Sequence, residues 1–179
     1  MFKLNVTPDE VKTLDIRKTP YSIAERAIHH VWKLMTNNCM QDLEQYGLMD
    51  PCCGTGTFID AMLNLNGTFS EIEGYELNES VYAWLKRKYS DDHNVDINHE
   101  DFLSLPGDEY WHIIAGEPPR HLITQFIDAS LKHLFNSTHA FIAFVVPITY
   151  DASAYNVVDS YTNDFDEDGN DTKTIFITK

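Results

Sequence analysis

Apolar residues recur along this chain in two rhythms that replace one another. From Ser22 a helical spacing begins, with Ile23, Ala27, His30, Val31 and Leu34 at steps of three and four. It predicts a helix running to about Tyr46 with a break near Asn37-Asn38. After Tyr46, short apolar runs predict strands near 46–50, 70–76, 95–98, 111–116 and 139–146. Helical patterns fit between them at about 57–65, 79–90 and 121–135. The last of these carries Ile123, Phe126, Ile127, Ser130, Leu131 and Leu134 on one face. Strands and helices in alternation predict a parallel α/β sheet covered on both sides. The run Lys173 to Thr178 alternates sides and predicts a final strand.

One segment breaks the pattern. From Asp151 to Thr172 there is no Lys or Arg, while Asp151, Asp159, Asp164, Asp166, Glu167, Asp168 and Asp171 all fall there. This predicts a long solvated connection. Within it, Asp164 to Gly169 copies the first half of a D-x-D-x-D-G calcium loop, but the twelfth position is Ile175 instead of Glu. An acidic turn leading into the final strand is the preferred reading.

Composition narrows the class. The 179 residues suit one domain with a real core. No apolar stretch is long enough for a membrane span and the first residues lack a signal-peptide core, so no membrane partner and a cytoplasmic location are expected. Cys39 and the adjacent Cys52-Cys53 have no metal-type or disulfide-framework spacing, which predicts reduced thiols and no metal. Thirteen basic against 28 acidic residues give a net charge of −15. Capture of a polyanion needs Lys and Arg, so a nucleic-acid substrate would have to be held with help.

The chemistry concentrates at Leu48 to Phe58, Leu-Met-Asp-Pro-Cys-Cys-Gly-Thr-Gly-Thr-Phe. A strand ends in Asp50, and a loop with Gly54 and Gly56 opens a helix, the place where open α/β sheets bind ligands. The third glycine of a dinucleotide fingerprint is absent. About 20 residues on, Gly74-Tyr75-Glu76-Leu77 ends the next strand with a carboxylate suited to two ribose hydroxyls. Asp101-Phe102-Leu103 ends the third with an acid and an aromatic, suited to an adenine amino group and ring.

Together these segments resemble the S-adenosylmethionine-dependent methyltransferases, and among them the DNA N6-adenine methyltransferases. The loop is similar to that family's D-P-x-x-G-x-G-x-F, Gly74-Tyr75-Glu76 to its G-x-E, and Asp101-Phe102-Leu103 to its D-F-L. Thr19-Pro20-Tyr21 resembles the T-P element that closes over the methionine part of the cofactor. The resemblance implies an α/β, Rossmann-like methyltransferase fold, with residues 1–45 a helical segment, 46–147 the cofactor core, 151–172 the acidic connection and 173–178 the last strand. It also implies S-adenosylmethionine as cofactor. Thr19, Pro20, Asp50, Cys52, Gly54, Gly56, Thr57 and Phe58 would receive its methionine part, Glu76 with Leu77 its ribose, and Asp101 with Phe102 its adenine.

The family's catalytic motif follows the fourth strand as Asn or Asp, Pro, Pro, then Tyr or Phe. The matching residues are Glu117-Pro118-Pro119-Arg120. Glu117 keeps an acceptor but is one methylene longer than Asp, and Arg120 puts a charge where the family has a neutral ring. Three readings stand: a minimal amino-group methyltransferase acting on nucleic acid alone, as a homo-oligomer or with a helper subunit; a methyltransferase-fold interaction protein without catalysis; and a methyltransferase for RNA or protein glutamine. Glu117 as an N-terminal helix cap is the structural alternative. No length is left for a target-recognition domain of the kind DNA methyltransferases add.

Overall fold

The computed structural model describes residues 19–36, 46–65, 70–107, 110–163 and 171–179. The expected break at Asn37-Asn38, Cys39 and the calcium-like turn Asp164–Gly169 lie outside these residues. In chain order the elements are α1 (Tyr21–Thr36), β1 (Gly47–Asp50), α2 (Thr57–Asn64), β2 (Glu71–Tyr75), α3 (Glu79–Lys88), β3 (Val95–Asn98), β4 (Ile113–Gly116), α4 (Ile123–His133), β5 (Phe141–Pro147), β6 (Val157–Thr162) and β7 (Thr172–Ile177). Short 3-10 turns cover Phe102–Ser104 and Arg120–Leu122.

All seven strands form one sheet in the order β3-β2-β1-β4-β5-β7-β6. β1 to β5 pair in parallel, and β7 runs antiparallel between β5 and β6. Successive side chains on a strand point to opposite faces, and the central strands β1, β4 and β5 are apolar on both. Leu48, Ile113, Ala115, Phe141, Ala143, Val145 and Phe176 meet α1, α2 and α3 on one side. Met49, Ile114, Ile142, Phe144, Val146, Ile175 and Ile177 meet α4 and Phe102 on the other. Two cores thus sandwich one sheet, a Rossmann-like α/β arrangement.

Each helix reflects its sequence. α1 buries Ile23, Ala24, Ala27, Ile28, Val31 and Met35, a stripe at steps of three and four. α3 is thinner, burying only Val81 and Leu85, and relies on its ends. Asn78 caps it by accepting from the amides of Ser80 and Val81, while Lys86, Arg87 and Lys88 complement the negative pole of its last turn.

The stretch expected as a solvated connection instead carries β6. Its residues are mostly exposed, because an edge strand buries one face at most and shows no long apolar run. A register shift between Val157 and Asp159 and the charge of Asp159 blunt this edge against further pairing. α4 begins later than expected, at Ile123, since the 3-10 turn Arg120–Leu122 occupies the first predicted residues. Among the described residues, no helix is long and apolar enough to cross a membrane.

Candidate functional site

The order of the strands reverses at β1, with β2 and β3 on one side and β4 and β5 on the other. Ligands of open α/β sheets sit at such a switch, outside the carboxyl ends of the strands. Here β1 ends in Asp50 and β4 leads into Glu117, on adjacent strands.

The loop after β1 is built by hydrogen bonds rather than by side-chain bulk. The amide of Cys53 donates to the Tyr75 carbonyl (2.9 Å), and that of Gly56 to the Cys53 carbonyl (2.6 Å). Gly54 and Gly56 take positive φ values of 49° and 76°. At Gly56 a Cβ would lie 2.3 Å from the Tyr89 hydroxyl, so the glycine is required twice over. The Tyr89 hydroxyl lies 2.8 Å from the Gly56 carbonyl oxygen and 2.9 Å from Asp60 Oδ1; Lys88 Nζ donates to the Thr55 carbonyl (3.2 Å) and to Asp60 Oδ2 (2.6 Å). The carboxyl end of α3 therefore holds the loop from behind.

Glu76 binds the same loop from the front. Its Oε2 accepts from the Gly54 amide (3.0 Å) and its Oε1 from the Asn78 amide (2.7 Å). Partial burial raises its pKa, and the amides of Asn78 and Gly54 pull the other way. Each oxygen keeps a second lone pair, so the carboxylate can still accept from hydroxyls of a ligand. Leu77 beside it is 64% exposed, an apolar surface at the rim of the site.

Asp50 is buried, with one oxygen accepting from the Cys52 amide (3.1 Å). Burial pushes its pKa up to about 8, the Cys52 amide opposes this, and the nearby Glu76 charge adds to it. Burial likewise raises the thiols of Cys52 and Cys53, which are both free. Gly116, at the end of β4, faces Asp50 closely: a Cβ there would stand 2.8 Å from Asp50 Oδ1 and 3.4 Å from Cys52 Sγ.

The Thr19 hydroxyl donates to Glu117 Oε2 at 2.6 Å, across 98 positions of sequence. Thr19 is buried, and Pro20 and Tyr21 carry the chain from it into α1. Glu117 is half-buried, Pro118 buried, Pro119 half-buried and Arg120 exposed. The helix-cap reading of Glu117 is not what is seen. The turn at Arg120 starts from Pro119 and α4 starts from Leu122, neither with a side-chain cap, and Glu117 turns toward Thr19 instead.

The third segment divides. Asp101 is exposed at the end of β3 and its Oδ1 accepts from the Leu103 amide (3.0 Å). Phe102 is only 2% exposed, enclosed by Tyr75, Phe126 and His133, so its ring is a core element and presents no free face for stacking. Phe58 and Thr57 open α2, with Phe58 buried in the first core and Thr57 Oγ1 3.2 Å from Thr55 Oγ1. Tyr89, Lys88, Asn78 and Gly116 went unrecognised in the sequence; only Gly56, whose cradle Tyr89 fills, hinted that something must close behind the loop. Among the described residues, no three His, Cys, Asp or Glu are grouped to hold a metal ion.

A seven-stranded sheet with an antiparallel β7, a glycine loop after β1, and acidic residues at the ends of β1, β2 and β3 define a domain with the Rossmann-like methyltransferase fold. Residues 21–108 match the ubiE/COQ5 methyltransferase family. That match spans the loop, Glu76 and Asp101 and stops short of Glu117. Among curated proteins, the chain is 30% identical over 122 residues to the modification methylase CviBIII of Paramecium bursaria Chlorella virus NC1A, covering 64% of this chain and 30% of that protein. It is also 30% identical over 78 residues to demethylmenaquinone methyltransferase of Staphylococcus aureus strain MRSA252, covering 44% of this chain and 32% of that one. The chain thus spans about a third of the length of the curated relatives it matches. Among solved structures, the type I restriction-modification methyltransferase subunit of Streptococcus thermophilus superposes with a TM-score of 0.71 at 15% identity, over 92% of this chain and 45% of that one.

Proposed function

We propose that this chain binds S-adenosylmethionine across the ends of β1, β2 and β3 and transfers its methyl group to an amino nitrogen held at Glu117-Pro118-Pro119-Arg120. The residues fit such a cofactor. Gly54 and Gly56, both at positive φ, turn the loop without side chains, buried Asp50 and Thr19 stand at the methionine side, Glu76 has lone pairs for ribose hydroxyls, and Leu77 and Asp101 flank the adenine side. When bound, the cofactor supplies an electrophilic methyl group on a positively charged sulfur.

The single observation that carries the reading is the Thr19–Glu117 hydrogen bond, which ties the element over the methionine side to the first residue of the catalytic tetrapeptide. Glu117, steadied through one oxygen, accepts a hydrogen bond from the acceptor amine and orients its lone pair. As the N–C bond formed and the methyl–sulfur bond broke, its electron pair would stay on sulfur as a neutral thioether, and the proton released from nitrogen would pass to this carboxylate and on to solvent. Pro118 and Pro119 stiffen the loop, whose carbonyls could accept from the same amine.

An adenine amino group in DNA is the favoured acceptor, on the motif resemblance and the similarity to a modification methylase. With net charge −15, the nucleic acid is held by a helper subunit or a second copy. The free thiols of Cys52 and Cys53 suit a reducing compartment such as the cytoplasm. Exposed Arg120, standing where the motif calls for an aromatic ring, favours a second reading in which the cofactor is bound without turnover.

Labelled S-adenosylmethionine with unmethylated DNA, RNA and glutamine peptides as separate acceptors decides between them. Transfer to DNA that falls about 100-fold in Glu117→Ala is the expected result. Cofactor binding without transfer to any acceptor selects the second reading, and transfer to RNA or peptide alone would move the acceptor.

A further inference from the structure

We infer that Glu117 makes the site discriminate the positively charged methyl donor from its neutral, demethylated product. The inference rests on the cofactor reading above and adds a specificity role to a residue otherwise treated as an acceptor.

Donor and product share the amino acid, ribose and adenine parts, and differ only at sulfur, a cation before transfer and a neutral thioether after it. Groups that meet the shared parts therefore bind both alike. Asp50 and Glu76 are of this kind, one at the methionine side and the other at the ribose. The methyl group on that sulfur points at the acceptor, in line for transfer, so discrimination falls to a charge on the acceptor side of the site.

Glu117, the residue proposed above to hold the acceptor amine, is that charge. It follows Gly116 on the strand beside β1, and Gly116 abuts both Asp50 Oδ1 and Cys52 Sγ. Thr19 anchors its Oε2 at 2.6 Å, while Glu76 ties down the loop through Gly54 from the other side of β1. Its charge is felt inside the loop, since Asp50, Cys53, Glu117 and Glu76 all add to burial in opposing a thiolate at Cys52. An amide at this position would accept a hydrogen bond from an amine equally well. The negative charge that the acid adds acts on a positively charged sulfur and not on a neutral one. The loss of that attraction on transfer speeds release of the product.

The test is a set of binding measurements by calorimetry on the full chain, with S-adenosylmethionine, S-adenosylhomocysteine and an analogue bearing a protonated amine in place of the sulfonium. Glu117→Gln keeps an acceptor for Thr19, and its melting curve checks that it folds. The wild type binds the donor at least tenfold tighter than the product, and the amine analogue follows the donor. In Glu117→Gln the donor-to-product ratio shrinks about tenfold, the scale of one partly hydrated charge pair, while product affinity stays within about twofold. An unchanged ratio overturns the role of Glu117 and leaves the cofactor reading intact. Equal wild-type affinity for analogue and product overturns it without any variant. No binding of any of the three overturns both.

Discussion

Thr19 and Glu117 share a 2.6 Å hydrogen bond that joins the entrance to α1 with the exit from β4. Because Thr19 is buried and its hydroxyl donates to a carboxylate, the bond fixes Glu117 more than it stabilises the domain. Thr19→Val is expected to cost about 1 kcal/mol, lowering the melting midpoint by roughly 2–4 °C. Methyl transfer to the preferred acceptor should fall tenfold or more, because small misplacements cost large factors in an aligned transfer. A rate that survives the substitution would mean Glu117 needs no such anchor.

Asp50 predicts a pH dependence. Its folded pKa of about 8 lies above the usual carboxylate value of 3.8, so the folded state holds a proton that the unfolded chain has lost across that interval. The unliganded protein is therefore expected to lose stability as pH rises from about 4 to about 8, and Asp50→Asn to flatten that slope. A cationic ligand favours the ionised form, so binding near pH 7 should release protons. Denaturant titrations at pH 5 and pH 8, and calorimetry in two buffers of different ionisation enthalpy, read these two effects.

Gly56 cannot carry a side chain. Gly56→Ala forces a left-handed residue with a Cβ 2.3 Å from the Tyr89 hydroxyl, so about 2–4 kcal/mol of stability should be lost, more than a strained backbone alone costs. The double variant with Tyr89→Phe should recover part of this, because the clashing oxygen is gone. Additive losses in denaturant titrations would show that the clash is relieved elsewhere.

Tyr89→Phe by itself probes the brace behind the loop. It removes the hydroxyl between Gly56 and Asp60 and leaves the ring, for an expected cost of about 1 kcal/mol. Cofactor affinity should drop several-fold through the loosened loop, with no change in the pH dependence of transfer. Phe102→Ala is the contrast: a core ring is lost, and about 3–5 kcal/mol of stability goes with it.

The periodicities of the chain were enough to place α2, α3, α4 and the strands β1 to β5 and β7, because the central strands β4 and β5 are unbroken apolar runs, the others are short runs bounded by turns, and the helices between them are amphipathic. β6 was not legible: an edge strand made of Val157, Val158, Asp159, Ser160, Tyr161 and Thr162 has solvent on most sides and no pattern to display. Asp50, Gly54, Gly56, Glu76 and Asp101 could be picked out because each sits at a strand end or turn where the backbone or a carboxylate sets local conditions.

Other features depend on distance in sequence. Phe102 looked like a ligand-facing ring until the core of Tyr75, Phe126 and His133 enclosed it, and Tyr89 looked like the end of a helix until it met Gly56. What the sequence determined by itself was the alternation of elements and the acidic, glycine-bearing turns, since local conformation and amphipathic burial depend on neighbours in the chain. The tertiary structure alone decided which faces those residues present, which is why Thr19 holds Glu117 and why Asp50 is buried with a raised pKa: both follow from contacts and desolvation between segments dozens of residues apart.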